Sequence, residues 1–351
     1  MGEGTLPTRR RALAALAGAV WLPMPGRADA TLRQAQHFLF GSPVDVRVRQ
    51  DGDAPADPAL AAVMAGLAQI HRRWNAWKPG DLSRLNAAFR EGRAVRVAPA
   101  LGAMIRSAAR LERASSGFFN PGIGGAVGAW GFHDDLMRAG ARPDVRALAA
   151  WRDAAPSLAQ IEMRGDLLTS RNPRLQLDFG AYAKGVAIDR ALDQLQGRGI
   201  DAALVDLGGN LAAMSRAGAP GWHIGIRDPQ GEGLVARLTT EAREAVVTSG
   251  SYERFRMLDG ERIGHILDPG TLAPASELLS VTVVHRSAAY ADAAATALLV
   301  AGPQRWRPVA ERMGVSRVLV IDRQGRGQVT AALAGRLQGS DAAWRSRIAV
   351  V

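Results

Sequence analysis

The stretch from Leu177 to Asn210 constrains the fold most: LQLDFGAYAKGVAIDRALDQLQ, then AALVDLGGN, reads as strand, glycine turn, helix, strand, glycine turn. Lys184 falls in the first turn of that helix. Free amides and a lysine at a helix N-terminus make a seat for phosphate. Gly180 and Gly185 would equally ease a tight turn with Lys184 left in solvent, and the bare pattern weighs the two readings evenly. The unit lacks the Gly-Lys-Ser/Thr ending of a Walker loop, and Gly122-Ile123-Gly124-Gly125-Ala126-Val127 ends in valine where a dinucleotide fingerprint needs a small residue. Asp178, just before the turn, is expected to cap the helix or to accept hydrogen bonds from a ligand ring, the cap being favoured.

A second signal lies in SAAYADAAATALLVAG, where Asp292 and Thr296 are four apart and share a helix face otherwise made of Ala and Leu. A carboxylate on so apolar a face needs a partner. Ser287 already holds the natural cap position, and Asp292 lies too deep in the helix to cap it. One carboxylate with a neutral oxygen suits Mg²⁺, which keeps waters and substrate phosphates in its shell. A phosphate seat beside hard-cation ligands suggests a nucleotide-processing enzyme.

His265 ends a strand in Gly264-His265-Ile266-Leu267-Asp268-Pro269, after Thr248-Ser249-Gly250, whose hydroxyls and amides suit an anion. A lone histidine is more often a structural hydrogen-bonder. His37, His71, His133, His223 and His285 form no metal spacing, and the absence of GxSxG and HExxH leaves hydrolase triads and zinc protease sites unsupported. Trp77, before Lys78-Pro79-Gly80, is read as core or as a ring-stacking residue, core being favoured.

The first thirty residues read as an export leader: Arg9-Arg10-Arg11, an apolar run to Leu22, and Ala28-Asp29-Ala30 as a small-x-small cleavage site. The apolar run is too short to span a bilayer. The arginine pair resembles a twin-arginine signal, with an ordinary secretory signal as the alternative, and either places residues 31–351 in a bacterial periplasm. The chain has no cysteine, which fits an oxidising compartment and excludes a lipid-modified cysteine anchor. Removing residues 1–30 leaves 40 basic against 31 acidic residues. The arginines are scattered among Ala and Gly without the dense blocks of a nucleic-acid patch.

Along the rest of the chain, residues 37–49 read as a strand interrupted at Gly41, residues 58–74 and 98–115 as helices, and FNPGIGGAVGAWGF as a loop with functional potential. Residues 134–173 read as variable and partly helical. WHIGIRD, AVVTSGSYERFRML, ERIGHILDP and LLSVTVVHR follow as β segments, with Asp259-Gly260 as a hairpin turn. The Asp292 helix, a helix over 303–313 and a last hairpin, RVLVIDRQGRGQVTAAL, close the chain. The order is α+β, mixed sheets broken by inserted helices, and the length after the leader fits one large domain or two small ones.

Five blocks, WNAWKPGDLSRLN, FFNPGIGGAVGAWGF, LDFGAYAKGVAIDRA with LVDLGGN, VVTSGSYERF with GHILDP, and LLSVTVV with ADAAATALLVAG, together resemble the FAD:protein FMN transferase family, the ApbE flavin transferases. The resemblance implies a T-fold-like α+β catalytic domain over residues 31–351. It implies an enzyme that uses one or two Mg²⁺ ions, binds FAD, cleaves its pyrophosphate, moves FMN onto a threonine or serine hydroxyl of another protein and releases AMP. It makes Asp292, Thr296 and the carbonyl of Ala181 metal ligands, Lys184 a FAD ligand near the phosphates, Asp178 a polar contact to the dinucleotide, and His265 the candidate for proton transfer or charge stabilisation. Phe40, Trp77, Phe118, Phe119, Asn120, Ser249, Gly250 and Ile266 become cofactor-pocket positions, and the acceptor a membrane-associated flavoprotein.

The chain departs from the family pattern in several places. Phe40-Gly41-Ser42 stands for Met-Gly-Thr, Trp77 for tyrosine, Asn120 for aspartate, Gly264 for a second histidine, and Gly270-Thr271-Leu272 for Arg-Thr-Gly. A pyrophosphatase that gives FMN and AMP with water as acceptor keeps the same site, and a flavin-binding protein without chemistry is a third reading.

Overall fold

The computed structural model describes residues 18–22, 31–50, 56–338, 344 and 346–351. The expected leader therefore lies outside the described residues except for Gly18–Leu22. Its apolar residues Ala19–Trp21 form a short strand, β1.

The fold is built on a nine-stranded sheet. Its strands are β2 (Thr31–Leu39), β3 (Ser42–Gln50), β7 (Ala203–Leu207), β8 (Asn210–Met214), β11 (Arg243–Gly250), β14 (Leu278–His285), β15 (Val318–Asp322), β16 (Gly327–Val329) and β17 (Ile348–Val350). Their spatial order is β17-β16-β15-β14-β11-β8-β7-β3-β2. Three smaller sheets attach to it: β1 with β9 (His223–Arg227) and β10 (Leu234–Thr239); β4 (Val95–Arg96) with β5 (Ile161–Arg164) and β6 (Leu167–Ser170); and the hairpin β12 (Phe255–Leu258) with β13 (Glu261–Gly264).

Among the described residues eight α-helices join these sheets: α1 (Ala56–Arg73), α2 (Asp81–Arg90), α3 (Pro99–Ala114), α4 (Gly124–Ala129), α5 (Val145–Ala154), α6 (Ala183–Gln196), α7 (Ala288–Arg312) and α8 (Ala331–Ala334). Helix α1 buries Leu60, Val63 and Leu67, and α6 buries Ile188, Leu192 and Leu195, spacings that give each one apolar stripe facing the sheet. Every residue of α7 from Ala291 to Gly302 is buried, as its almost uniformly small and apolar sequence requires. The other face of the central sheet is covered by the β1-β9-β10 sheet through Leu211, Trp222, Ile224, Val246 and Leu319. Strands β11 and β14, buried on both faces, accordingly lack the alternation of a half-exposed strand.

Several sequence expectations need correction. No strand precedes the Gly180 turn, although the segment is extended. Its backbone is held by a loop and a side chain: Asp178 N–H donates to Pro121 O at 2.8 Å, and the Asn86 amide takes both backbone groups of Leu177, at 2.7 and 2.9 Å. Asn86 does here what a neighbouring strand would do. The glycine-rich FNPGIGGAVGAWGF is not all loop, because α4 forms within it. AVVTSGSYERFRML is two strands, not one, broken by a turn over residues 251–254. Lys78-Pro79-Gly80 ends where α2, an unforeseen helix, begins at Asp81.

The strand read over residues 37–49 does not run on through Gly41: the chain reverses at Phe40-Gly41, both with positive φ, and β2 pairs antiparallel with β3. Other expectations hold. Asp259-Gly260, also with positive φ, turns β12 into β13. The helices read at 292 and 303 are separated at Gly302, whose φ of 74° ahead of Pro303 breaks the helical path.

Candidate active site

The site forms where the N-terminal turn of α6 meets α7. An added Cβ on Gly185 would lie 2.4 Å from the Ala288 carbonyl oxygen, so only glycine lets the two helices approach so closely. At that crossing Asp292 is 2 % exposed and receives the Gly185 amide on one oxygen and the Asn210 side-chain amide on the other, both at 3.0 Å. Thr296, one turn further along α7, shares a hydrogen bond of 3.1 Å with Ser249 on β11. Asn210 keeps a buried side-chain oxygen with no hydrogen-bond partner.

Lys184, second residue of α6, sits among buried acids. Burial drives Asp206 up to about 7, Glu253 to about 8 and Asp292 to about 6, and the Lys184 ammonium opposes each rise. Glu253 also has a buried carboxyl oxygen without a partner. Carboxyls held this far above their usual range mark a place built for added positive charge.

His265 lies near enough to the same lysine for its charge to act on the ring. Its Nδ1 meets the Arg254 carbonyl at 3.0 Å, and a carbonyl only accepts, so Nδ1 carries the proton and Nε2 presents a lone pair. Burial, followed by the charges of Arg254 and Lys184, lowers its pKa to about 4, so the imidazole is neutral across the physiological range.

A second group of side chains borders this centre. Trp77 stacks on His133 with ring centroids 5.0 Å apart, and the Arg254 guanidinium lies 5.6 Å from the Trp77 ring. His133 Nε2 meets Asp178 at 2.8 Å. Asp178 does not cap α6, whose N-cap position is Tyr182 without a side-chain bond; its other oxygen takes the Gly180 amide at 2.7 Å and shapes the turn. Burial pushes this carboxyl up, but the hydrogen bond and charge of His133 outweigh it and hold it below the usual carboxylate range. Ser287 caps α7 as expected, accepting from Tyr290 N–H at 3.2 Å.

The remaining expected residues divide. Ser249, Gly250 and Ile266 lie in the buried walls around the centre, and Ala181 is in the turn just before α6. Phe119 is 1 % exposed and packs edge-on to Tyr182. Asn120 has both ends of its amide on backbone, at Gly122 and Pro156. Phe118 lies under the Arg305 guanidinium, whose side chain lines a cavity of ≈ 220 Å³ with Asp268, Thr271 and Glu277. Phe40, in the β2–β3 turn, packs edge-on against His71 of α1.

Sequence reasoning missed Glu253, Arg254, Asp206, Asn210 and His133. The first two follow TSGSY directly, but a charged pair in a turn is commonplace. Asn210 follows Gly208-Gly209 and was visible only as the end of a turn. His133 stands in no metal spacing and carries no signal of its own in the sequence.

Among the described residues no three His, Cys, Asp or Glu side chains gather as a metal cluster. The oxygens present are the Asp292 carboxylate, the Thr296 hydroxyl one turn along the same helix with Ser249 bonded to it, and the unpaired oxygen of Asn210, whose amide bonds Asp292. Such a set fits a hard cation that retains water and substrate oxygens, and does not fit zinc.

The ApbE family model matches residues 40–319. The chain belongs to the ApbE family. Among curated relatives, the FAD:protein FMN transferase of Rhodobacter capsulatus is 38 % identical over 314 residues, covering 90 % of this chain and 60 % of its own length, so the chain spans less than two thirds of that relative. That of Treponema pallidum is 34 % identical over 342 residues, covering 90 % of this chain and 92 % of itself. Among solved structures, the apo Pseudomonas stutzeri flavinyl transferase ApbE superposes with a TM-score of 0.76 at 29 % identity, over 89 % of this chain and 98 % of that one. The Thermotoga maritima ApbE protein, at 24 % identity, shares the fold with a TM-score of 0.77 over 88 % of this chain. The ApbE match includes every residue of the centre described above.

Proposed function

We propose that this protein transfers FMN from FAD to a threonine or serine hydroxyl of an acceptor polypeptide and releases AMP. The observation that carries this reading is the convergence of Lys184, His265 and Asp292 on the first turn of α6, from three separate parts of the chain. Family membership supports the same reaction class.

Lys184 and the first-turn amides bind the pyrophosphate, and the paired rings and guanidinium at Trp77, His133 and Arg254 hold planar parts of the dinucleotide. The acceptor Oγ attacks the phosphorus on the FMN side. A P–O bond forms to Oγ, the bridging P–O bond breaks, and AMP departs with the bridging oxygen. The hydroxyl proton passes to the Nε2 lone pair of His265. Lys184 neutralises charge that spreads over the nonbridging oxygens. Asp292, Thr296 and the carbonyl of Ala181 would hold Mg²⁺, which supplies further charge neutralisation there when bound. We place the reaction in the periplasm on the strength of the leader-like N-terminus, with a membrane-associated flavoprotein as acceptor.

The test is incubation with FAD and Mg²⁺, with and without a candidate acceptor domain, following AMP release and in-gel flavin fluorescence. Acceptor-dependent AMP with a fluorescent band supports transfer. AMP and free FMN regardless of acceptor would make the protein an FAD pyrophosphatase, and tight FAD binding without AMP release would make it a flavin carrier.

A further inference from the structure

We propose that His133 occupies, in the free protein, the place of a planar ring of FAD, and turns out of it when the dinucleotide binds. This rests on the transferase reading above, which gives the Trp77–His133 pair to the planar parts of FAD.

The imidazole of His133 makes two contacts that define a ring subsite. It stacks on the Trp77 indole with centroids 5.0 Å apart and planes 15° apart. Its Nε2 meets an oxygen of Asp178 at 2.8 Å. That carboxyl is held below the usual range, so at neutral pH it is ionised and only accepts, and Nε2 carries the proton. FAD offers the same combination, a flat ring with a donor on its edge, at two places: the ring N–H of the isoalloxazine dione and the amino group of adenine. His133 is a stand-in for such a ring, built into the chain.

Imidazole and nucleotide ring exclude each other here. One Asp178 oxygen is committed to the Gly180 amide that shapes the turn, and His133 holds the other. While His133 is in place, neither the indole face it covers nor that second oxygen is open to a ligand. Asp178 is only 14 % exposed, so losing a charge-assisted bond without replacement is costly. The place therefore passes to a ring that restores the bond, and not to one that lacks an edge donor. Specificity in this slot comes from the edge of the ring as well as from its flatness.

The surroundings let the imidazole move and keep its backbone still. Arg254 Nη2 donates to the carbonyls on both sides of it, Phe132 O at 2.8 Å and Asp134 O at 3.0 Å. On one side the imidazole abuts α4, where a Cβ on Gly128 would lie 2.9 Å from Nδ1. The side chain is nevertheless 19 % exposed, and rotation about its two side-chain bonds carries it toward solvent. Phe132, fully buried, stays edge-on to His265, whose Nδ1 is held by the Arg254 carbonyl. The slot thus opens without disturbing the base.

The test compares the full-length parent with His133→Ala, each with Mg²⁺ and without acceptor, by stopped-flow flavin fluorescence with FAD and riboflavin and by calorimetry with AMP. A slot closed in about nine molecules of ten lowers apparent affinity about tenfold, so His133→Ala should tighten FAD by that factor, through faster association. In the parent, carbethoxylation of His133 by diethyl pyrocarbonate, read by peptide mass, should rise several-fold on adding FAD. Riboflavin tightened in parallel with FAD puts the isoalloxazine in the slot, AMP tightened instead puts adenine there, and either upholds the proposal. Equal or weaker FAD binding by the variant, or unchanged or reduced carbethoxylation of His133 when FAD binds, overturns it. Tighter FAD binding by the variant, with no AMP released by either protein once acceptor is added, upholds the slot and removes the transferase reading instead. FAD bound by neither protein overturns both.

Discussion

The backbone amide of Gly185 donates to the carboxylate of Asp292 at 3.0 Å, joining the start of one helix to the middle of another 107 residues later. Helix α6 spends one of its free amides on orienting an acid, and Asn210 fixes the other oxygen. The acid is thereby held in one place before any ligand arrives.

Replacing Asp292 with alanine removes the single carboxylate of the proposed cation site. FMN transfer should fall at least a hundredfold, and the rise in melting temperature on adding Mg²⁺ should vanish. A variant that keeps the full rate would remove Asp292 from the metal assignment.

Gly185→Ala tests the helix crossing without touching any charge. The new methyl would meet the Ala288 backbone, which belongs to a buried helix and has little room to retreat. Overpacking of this kind costs about 1–3 kcal/mol. Chemical denaturation should show that loss, with a parallel loss of Asp292-dependent Mg²⁺ binding as the helices part.

Glu253 gives a pH signature. Its carboxyl titrates near 8 in the fold, because of burial, against 4.5 in its ordinary state. Between those values the folded protein holds a proton that the unfolded chain has lost, so stability falls as pH rises through this window, at up to about 1.4 kcal/mol per pH unit. In a domain of this size that is about 2 °C per unit. Melting curves without FAD or divalent cations should therefore be flatter for Glu253→Gln than for the parent, and the variant more stable at pH 8. Parallel curves would mean that Glu253 is already ionised.

His265→Gln retains a side-chain donor for the Arg254 carbonyl and loses the basic lone pair. Turnover should drop about 10²–10⁴-fold, the usual range for a general base, while FAD affinity stays within a few-fold. A large loss of affinity at unchanged turnover would make His265 a binding residue.

Much of the site was legible because its residues follow helical or turn rules. Asp292 and Thr296 are four apart on an apolar face, and Lys184 opens a helix after a glycine turn, so spacing alone pointed to both. Asp178 was misassigned because an aspartate before a helix is usually a cap; here a glycine amide two residues on and a histidine from a distant loop claim it instead. Glu253 and Asp206 could not be found, since their character comes from desolvation by strands remote in sequence. Asn86 was equally silent, because a side chain standing in for a strand leaves no periodic trace. The strand expected at Leu177 failed for that reason, while β3, β15 and β16 were readable from alternation and turn chemistry.

The strand order sets a timetable on the ribosome. β14 lies between β11 and β15, and α7, which brings Asp292 and Thr296, follows β14 directly in the chain. A nascent polypeptide that has already made Lys184, Asn210 and His265 still lacks one wall of the proposed site, because the helix carrying the acid has not left the exit tunnel. Any message truncated before α7 therefore encodes a chain that has the first turn of α6 without the carboxylate its Gly185 amide holds.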